Sequence, residues 1–234
     1  MKAIGLIGGM SWESTVTYYE ELNNGVKRAL GGLHSAPIWL YSVDFAPIEA
    51  CQKSGDWDKT AEILGDAAKH LEACGAQAVL ICTNTMHKVA DQVQQRISVP
   101  LVHIATATAQ AVKRENITRV GLLGTKYTVK EDFYTRPLID AGLDVLIGND
   151  AQIEEVNRII FEELCLGEIR ESSRRYLQGV MADFEKAGAQ GVILGCTEIG
   201  LLAKEEDTSL KVFDTTLIHA AKALEIMLED EKSV

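Results

Sequence analysis

Two stretches, LEACGAQAVLICTNT (residues 71–85) and FEKAGAQGVILGCTE (residues 184–198), follow one pattern: E-x-x-G-A-Q, then an apolar run. A helix end, a glycine turn and a buried strand have this signature. Superposed, the stretches set Thr83 opposite Cys196. Two further pairs recur in the same order, KAIGLIG from Lys2 against TRVGLLG from Thr118, and PLVHIATATAQAV from Pro100 against KVFDTTLIHAAKAL from Lys211. The offsets fall between 111 and 116 residues, too regular for chance, so the chain reads as a duplicated unit.

Short apolar runs alternate with segments of helical period, the pattern of an α/β fold with parallel sheets. Strands are expected over 2–7, 37–43, 78–82, 101–103, 120–123, 144–147, 191–194 and 212–213. Helices are expected over 14–30, 57–74, 86–97, 105–113, 152–166, 172–187 and 216–228. The expected architecture is two similar Rossmann-like lobes, related by a pseudo-twofold axis, with the active site between them. Residues 1–98 with 213–234 would form the first lobe and 99–212 the second, and disorder is expected only at the C-terminal tail.

Composition narrows the function. Hydrophobic residues make up 47% and charged residues 24% of the 234, which describes a globular chain. The net charge of −11 and the lack of a Lys/Arg block argue against a nucleic-acid partner. Five cysteines, an odd number with no C-x-x-C pair, fit a reducing compartment. No apolar run approaches the roughly 20 residues of a membrane span, and the opening residues lack a signal-peptide core, so a cytoplasmic location is expected.

Ligands of open α/β sheets bind beyond the carboxyl ends of the strands, which directs attention to residues 8–15, 43–45, 83–85, 125–128 and 196–198. Cys196 ends an apolar strand ahead of a helix or turn, where backbone N–H groups would favour the thiolate; the competing reading is a small core cysteine. Cys82 should point to the opposite face from Thr83 and belong to the core. Asn84, Thr85, Thr125, Thr128 and Thr197 are ordinary helix caps taken singly, but converging on one cleft they would bind a small anion. Ser11 and Ser14 lie in GLIGGMSWEST, which lacks both the dinucleotide fingerprint and the P-loop lysine, so a nucleotide is a poor fit. His87, one turn past Thr83, reads as packing or capping with ligand orientation as the alternative. No histidine pair has metal-ligand spacing, so no metal is expected.

The opening GLIGGMSWEST, the pair TNT and GCTE, and the repeat resemble the cofactor-independent aspartate/glutamate racemase superfamily over essentially the whole chain, most closely its broad-specificity bacterial amino-acid racemases. The resemblance implies no cofactor and an amino-acid substrate whose α-carbon lies between two proton-transfer groups, at Thr83 and Cys196. It implies that Cys196 is the base for the L enantiomer, that Asn84, Thr85, Thr128 and Thr197 hold the α-carboxylate and ammonium, and that Ser11 completes the pocket. Two departures stand out. The first-half motif is usually C-N-T, and a hydroxyl is far less ionised than a thiol near neutrality, so Thr83 can return a proton but is a poor base. Aspartate-specific members carry a basic residue in the loop after the second strand, where this chain offers Gln52 and Lys53. That departure opens the way to neutral or mixed substrates, while the resemblance keeps acidic amino acids first. A one-cysteine decarboxylase or cis-trans isomerase of the same superfamily and a non-catalytic amino-acid-binding module are the alternatives. The sequence leaves the oligomeric state open, a homodimer included.

Overall fold

The computed structural model describes residues 1–229, so the expected disorder of the tail lies outside the described residues. The chain forms two compact units, residues 1–104 together with the chain from His219 onward, and Ala105–Ile218. The crossings thus fall six residues later than the repeat implies, at 104/105 and 218/219. The segment expected as a strand at 101–103 makes only an isolated bridge, Leu101 to Val79, yet Val79 N–H donates to Pro100 O and Val102 N–H to Val79 O. Those bonds keep it with the first unit. Phe213, in turn, pairs with Ile193 and stays with the second.

The first unit carries β1 (Ile4–Gly8), α1 (Trp12–Leu30), β2 (Ile38–Ser42), α2 (Phe45–Ser54), α3 (Trp57–Ala73), β3 (Ala78–Ile81), a 3₁₀ turn (Thr85–Val89) and α4 (Ala90–Gln94). Its parallel sheet has the order β2-β1-β3. Strand alternation divides the core in two. Ile4, Leu6, Leu80 and Cys82 pack with Tyr18, Leu22 and Val26 of α1, while Ile7, Val79 and Ile81 pack with Leu64, Ala68 and Leu71 of α3. Cys82 is fully buried, as the alternation requires, and burial pushes its thiol pKa far up.

The second unit contains most of α5 (Ile104–Arg114), then β4 (Arg119–Gly124), α6 (Lys126–Lys130), α7 (Asp132–Asp140), β5 (Asp144–Ile147), α8 (Asp150–Glu162), α9 (Glu171–Lys186), β6 (Gly191–Gly195), α10 (Ile199–Leu202), β7 (Lys211–Asp214) and the start of α11 (Thr215–Met227). Its sheet is also parallel, ordered β5-β4-β6-β7. The first three strands repeat the order of the other unit. Val192 and Leu194 pack against Val180, Met181 and Phe184 of α9.

The G-A-Q repeat is a physical device, used twice. Gly75 and Gly188 take φ of +96° and +85°, values an L side chain rarely adopts, and end α3 and α9. The next residues close the turn identically, Ala76 N–H donating to Leu71 O at 3.0 Å and Ala189 N–H to Phe184 O at 2.9 Å. The glutamine then clamps the incoming strand to its neighbour. Gln77 N–H donates to Ala3 O and its Oε1 accepts from Ala3 N–H; Gln190 N–H donates to Arg119 O and its Oε1 accepts from Thr118 N–H. Register between β1 and β3, and between β4 and β6, follows from this.

Close packing at β4 yields a first prediction. A Cβ on Gly121 would lie 2.2 Å from the Phe184 ring. Gly121→Ala is expected to cost about 1–3 kcal/mol by overpacking, read as a lower urea midpoint; an unchanged midpoint contradicts it.

Candidate active site

In the second unit the chemistry gathers at the carboxyl ends of β4 and β6, whose last residues, Gly124 and Gly195, pair directly. Both must be glycine-sized: a Cβ on either would press against Thr128 at 3.1–3.2 Å. Thr125 caps α6, its Oγ1 accepting from Thr128 N–H at 3.3 Å and lying 3.2 Å from Thr128 Oγ1. These two threonines therefore serve each other as a cap while standing beside the β6 tip.

Cys196 follows β6 and is 7% exposed. The chain turns at once, Ile199 N–H donating to Cys196 O, and this folds Glu198 back on the cysteine. The Cys196 thiol donates to Glu198 Oε2 at 3.0 Å, and Thr197 Oγ1–H donates to the same oxygen at 2.8 Å. Glu198 itself is buried. Burial first, then the Glu198 carboxylate and Cys165, hold the thiol pKa well above its ordinary value. The expectation that a helix N-terminus favours the thiolate is thereby corrected: α10 has four residues, too short for a substantial dipole, and burial together with an adjacent carboxylate outweighs it. Cys196 rests as a thiol with a proton acceptor in contact.

In the first unit Thr83 follows β3 and is half-buried, its N–H donating to Ile81 O at 2.9 Å. Asn84 and Thr85 are buried behind it. The expected helix over 86–97 is instead the 3₁₀ turn Thr85–Val89 followed by the five residues of α4. Ser11 is the residue just before α1, beyond the tip of neighbouring β1, and is buried; its carbonyl accepts from Ser14 and Thr15 hydroxyls. Gln52 lies on a helix, α2, not in a loop, and its Nε2 donates to Met86 Sδ at 3.6 Å, which joins it to the turn after Thr83. Lys53 does not join this cluster. It is exposed and paired with Glu49 at 2.7 Å. Sequence reasoning missed Glu198, although GCTE prints it two residues past the cysteine. Among the described residues no group of three or more His, Cys, Asp or Glu side chains is arranged to hold a metal ion, and no helix is long and apolar enough to cross a membrane.

Comparison with known proteins makes this framework that of an amino-acid racemase, an isomerase. The chain belongs to the Asp/Glu/Hydantoin racemase family, which it matches over residues 7–223. A Yersinia pestis protein, provisionally described as an Asp/Glu racemase, superposes with a TM-score of 0.91 at 52% identity, over 97% of this chain and 100% of that one. An aspartate racemase homologue from Pyrococcus horikoshii OT3 gives 0.84 at 38% identity, over 97% and 99%. The broad specificity amino-acid racemase RacX of Bacillus subtilis is 27% identical over 160 residues, 67% of this chain and 69% of that protein.

Proposed function

We propose that this racemase acts on free amino acids, aspartate and glutamate first among them, without a cofactor, and that Cys196 and Thr83 are its two proton-transfer groups on opposite faces of the α-carbon. The contact between the Cys196 thiol and Glu198 carries this reading, because it supplies a buried sulfur with an acceptor for its proton. Starting from an L amino acid, Glu198 takes the thiol proton as the sulfur takes the α-proton. Thr83 donates its hydroxyl proton to the other face of the carbanion, directly or through water. Solvent then removes the proton from Glu198 and restores that of Thr83. Ser11, Gln52, Asn84, Thr85, Thr125, Thr128 and Thr197 are proposed to hold the substrate. The absence of a basic residue on the buried face of α2 supports a side-chain range wider than aspartate alone, since Lys53 is turned outward.

The chain is tested with L and D amino acids in deuterium oxide, following the α-proton by NMR. Exchange with inversion is expected for aspartate or glutamate. No exchange with any amino acid defeats the proposal. Carbon dioxide release instead would favour the one-cysteine decarboxylase, which a thiol at Cys196 with a hydroxyl at Thr83 also allows.

Thr83 makes the two directions chemically unequal. Enantiomers have equal free energy in water, so kcat/KM must match in both directions and the inequality falls on kcat and KM separately. Thr83→Cys supplies a competent base on the second face and is expected to raise kcat with the D substrate by about tenfold or more. No gain would count against the role given to Thr83.

A further inference from the structure

The turn carrying Thr83 is held by a residue the reaction itself does not use. In an α-helix His87 N–H would donate to Thr83 O; in the 3₁₀ turn it donates to Asn84 O, at 3.0 Å, leaving the Thr83 carbonyl open. The His87 side chain takes that place, its Nδ1 lying 2.8 Å from Thr83 O. Its other nitrogen, Nε2, lies 3.2 Å from the backbone nitrogen of Ile104.

These two partners fix the ring's proton. A backbone N–H can only donate, so Nε2 presents its lone pair to Ile104, and Nδ1 carries the hydrogen and donates to Thr83 O. A neutral imidazole has one donor and one acceptor, and both are used. The ring is 2% exposed and edge-on to His103 and His219, with centroids 4.7 and 5.6 Å away. Burial, followed by those two neighbours, holds its pKa well below the ordinary histidine value, in keeping with the neutral form.

The acceptor side is anchored in turn. His219 Nε2 lies 2.7 Å from Val102 O, which can only accept, so Nε2 is the donor and Nδ1 accepts from Tyr18 Oη–H at 2.8 Å. Residues 102–104 are therefore gripped at a carbonyl by His219 and at an N–H by His87. A polar chain runs from Tyr18 on α1 through α11 and this segment to the Thr83 peptide. The links from Tyr18 to Ile104 are buried, the last one to Thr83 is part-buried, and every donor faces an acceptor.

We infer that His87 is a positioning residue for Thr83: its Nδ1–H fixes the Thr83 peptide plane, and so the direction of the hydroxyl, against the anchored segment 102–104. This rests on the proposed role of Thr83 in returning the proton. His87 need not touch the substrate.

The test uses the full chain, L-aspartate or L-glutamate, and deuterium oxide. A carbanion formed on the Cys196 side either returns there, giving deuterated L amino acid, or is captured on the Thr83 side, giving D product. The ratio of deuterated L to D product measures the Thr83 side alone, and a general loss of folded enzyme lowers both without moving it. His87→Gln keeps an acceptor at the Nε2 position but loses the donor to Thr83. It is expected to raise the ratio on the order of tenfold. His87→Asn keeps an amide nitrogen at the bond distance of Nδ1 and is expected to restore the ratio toward that of the unmodified chain. A folded, active His87→Gln with an unchanged ratio overturns the inference, as does an Asn variant shifted as far as the Gln variant. If the Gln variant does not fold, nitrogen-15 NMR of the unmodified protein decides: the Nδ1–H tautomer coupled to the Thr83 carbonyl supports the inference, and an Nε2–H tautomer overturns it. Failure of the unmodified chain to exchange any α-proton would instead bring down the proposed function, and this role with it.

Discussion

Glu198→Gln is expected to slow α-proton exchange about 100-fold while making Cys196 easier to alkylate. The two effects have opposite signs because the carboxylate does two things. Its charge, after burial itself, raises the thiol pKa, so glutamine leaves the pKa elevated but lower, and a larger fraction of thiolate exists at pH 8. It also accepts the Sγ–H hydrogen bond at 3.0 Å, and an amide cannot take the proton. If thiolate population alone set the rate, the variant would be faster. Cys196→Ala provides the floor, removing about 1,000-fold or more of the exchange. Alkylation is followed at the peptide containing Cys196, because Cys74 is exposed and Cys51 and Cys165 are partly so. Faster exchange in Glu198→Gln would remove the carboxylate from the mechanism. Unimpaired exchange in Cys196→Ala would remove the thiol.

Much of the fold is legible because it is written in residues with few alternatives. Gly75 and Gly188 sit at φ values that favour glycine, and Gln77 and Gln190 follow at the same spacing, so a match in letters was a match in geometry. Strand alternation likewise assigned Cys82 to the core. Of the helices absent from the sequence reading, α2 and α7 contain proline. Proline counts against a helix, yet Pro47 lies in the first turn of α2, where its missing N–H costs nothing, and α7 accommodates Pro137 in its interior.

The candidate site was legible in residue types and less so in chemistry. Thr83 and Cys196 were singled out as candidates by their matched positions in the repeat. The state of Cys196 was not, because it depends on a tight turn after β6 that no periodicity announces. Glu198 leaves the extended conformation, at φ −77° and ψ −25°, and only that departure brings its Oε2 onto the sulfur. Gln52 shows the same limit: its burial and its contact with Met86 depend on α2 being a helix, which assigned its neighbour Lys53 to solvent.

Lowering the pH from 7.5 to 5.5 should destabilise the first unit through its buried histidines. Burial pushes the pKa of His219 down to about 3 and that of His87 well below the usual value, while in the unfolded chain both return to about 6.5. The folded state thus binds fewer protons than the unfolded one. Stability is fully present above pH 6.5 and is lost as the pH falls from there toward the folded values, by about 1.4 kcal/mol per pH unit for each histidine. Two together give a loss of about 3 kcal/mol over the whole range from pH 7.5 to 5.5. The carboxylates held low by hydrogen bonds and ion pairs, such as Glu72 and Asp207, act in a separate window below the ordinary carboxylate range. Trp12, Trp39 and Trp57 all lie in the first unit, so tryptophan fluorescence in urea reports on it selectively. His219→Gln retains an amide donor for Val102 O and removes the titration, and is expected to reduce the slope by about one proton's worth, near 1.4 kcal/mol per pH unit. Equal urea midpoints at pH 7.5 and 5.5 would mean that these rings are not held neutral by burial, and the polar chain from Tyr18 to Thr83 would lose its basis.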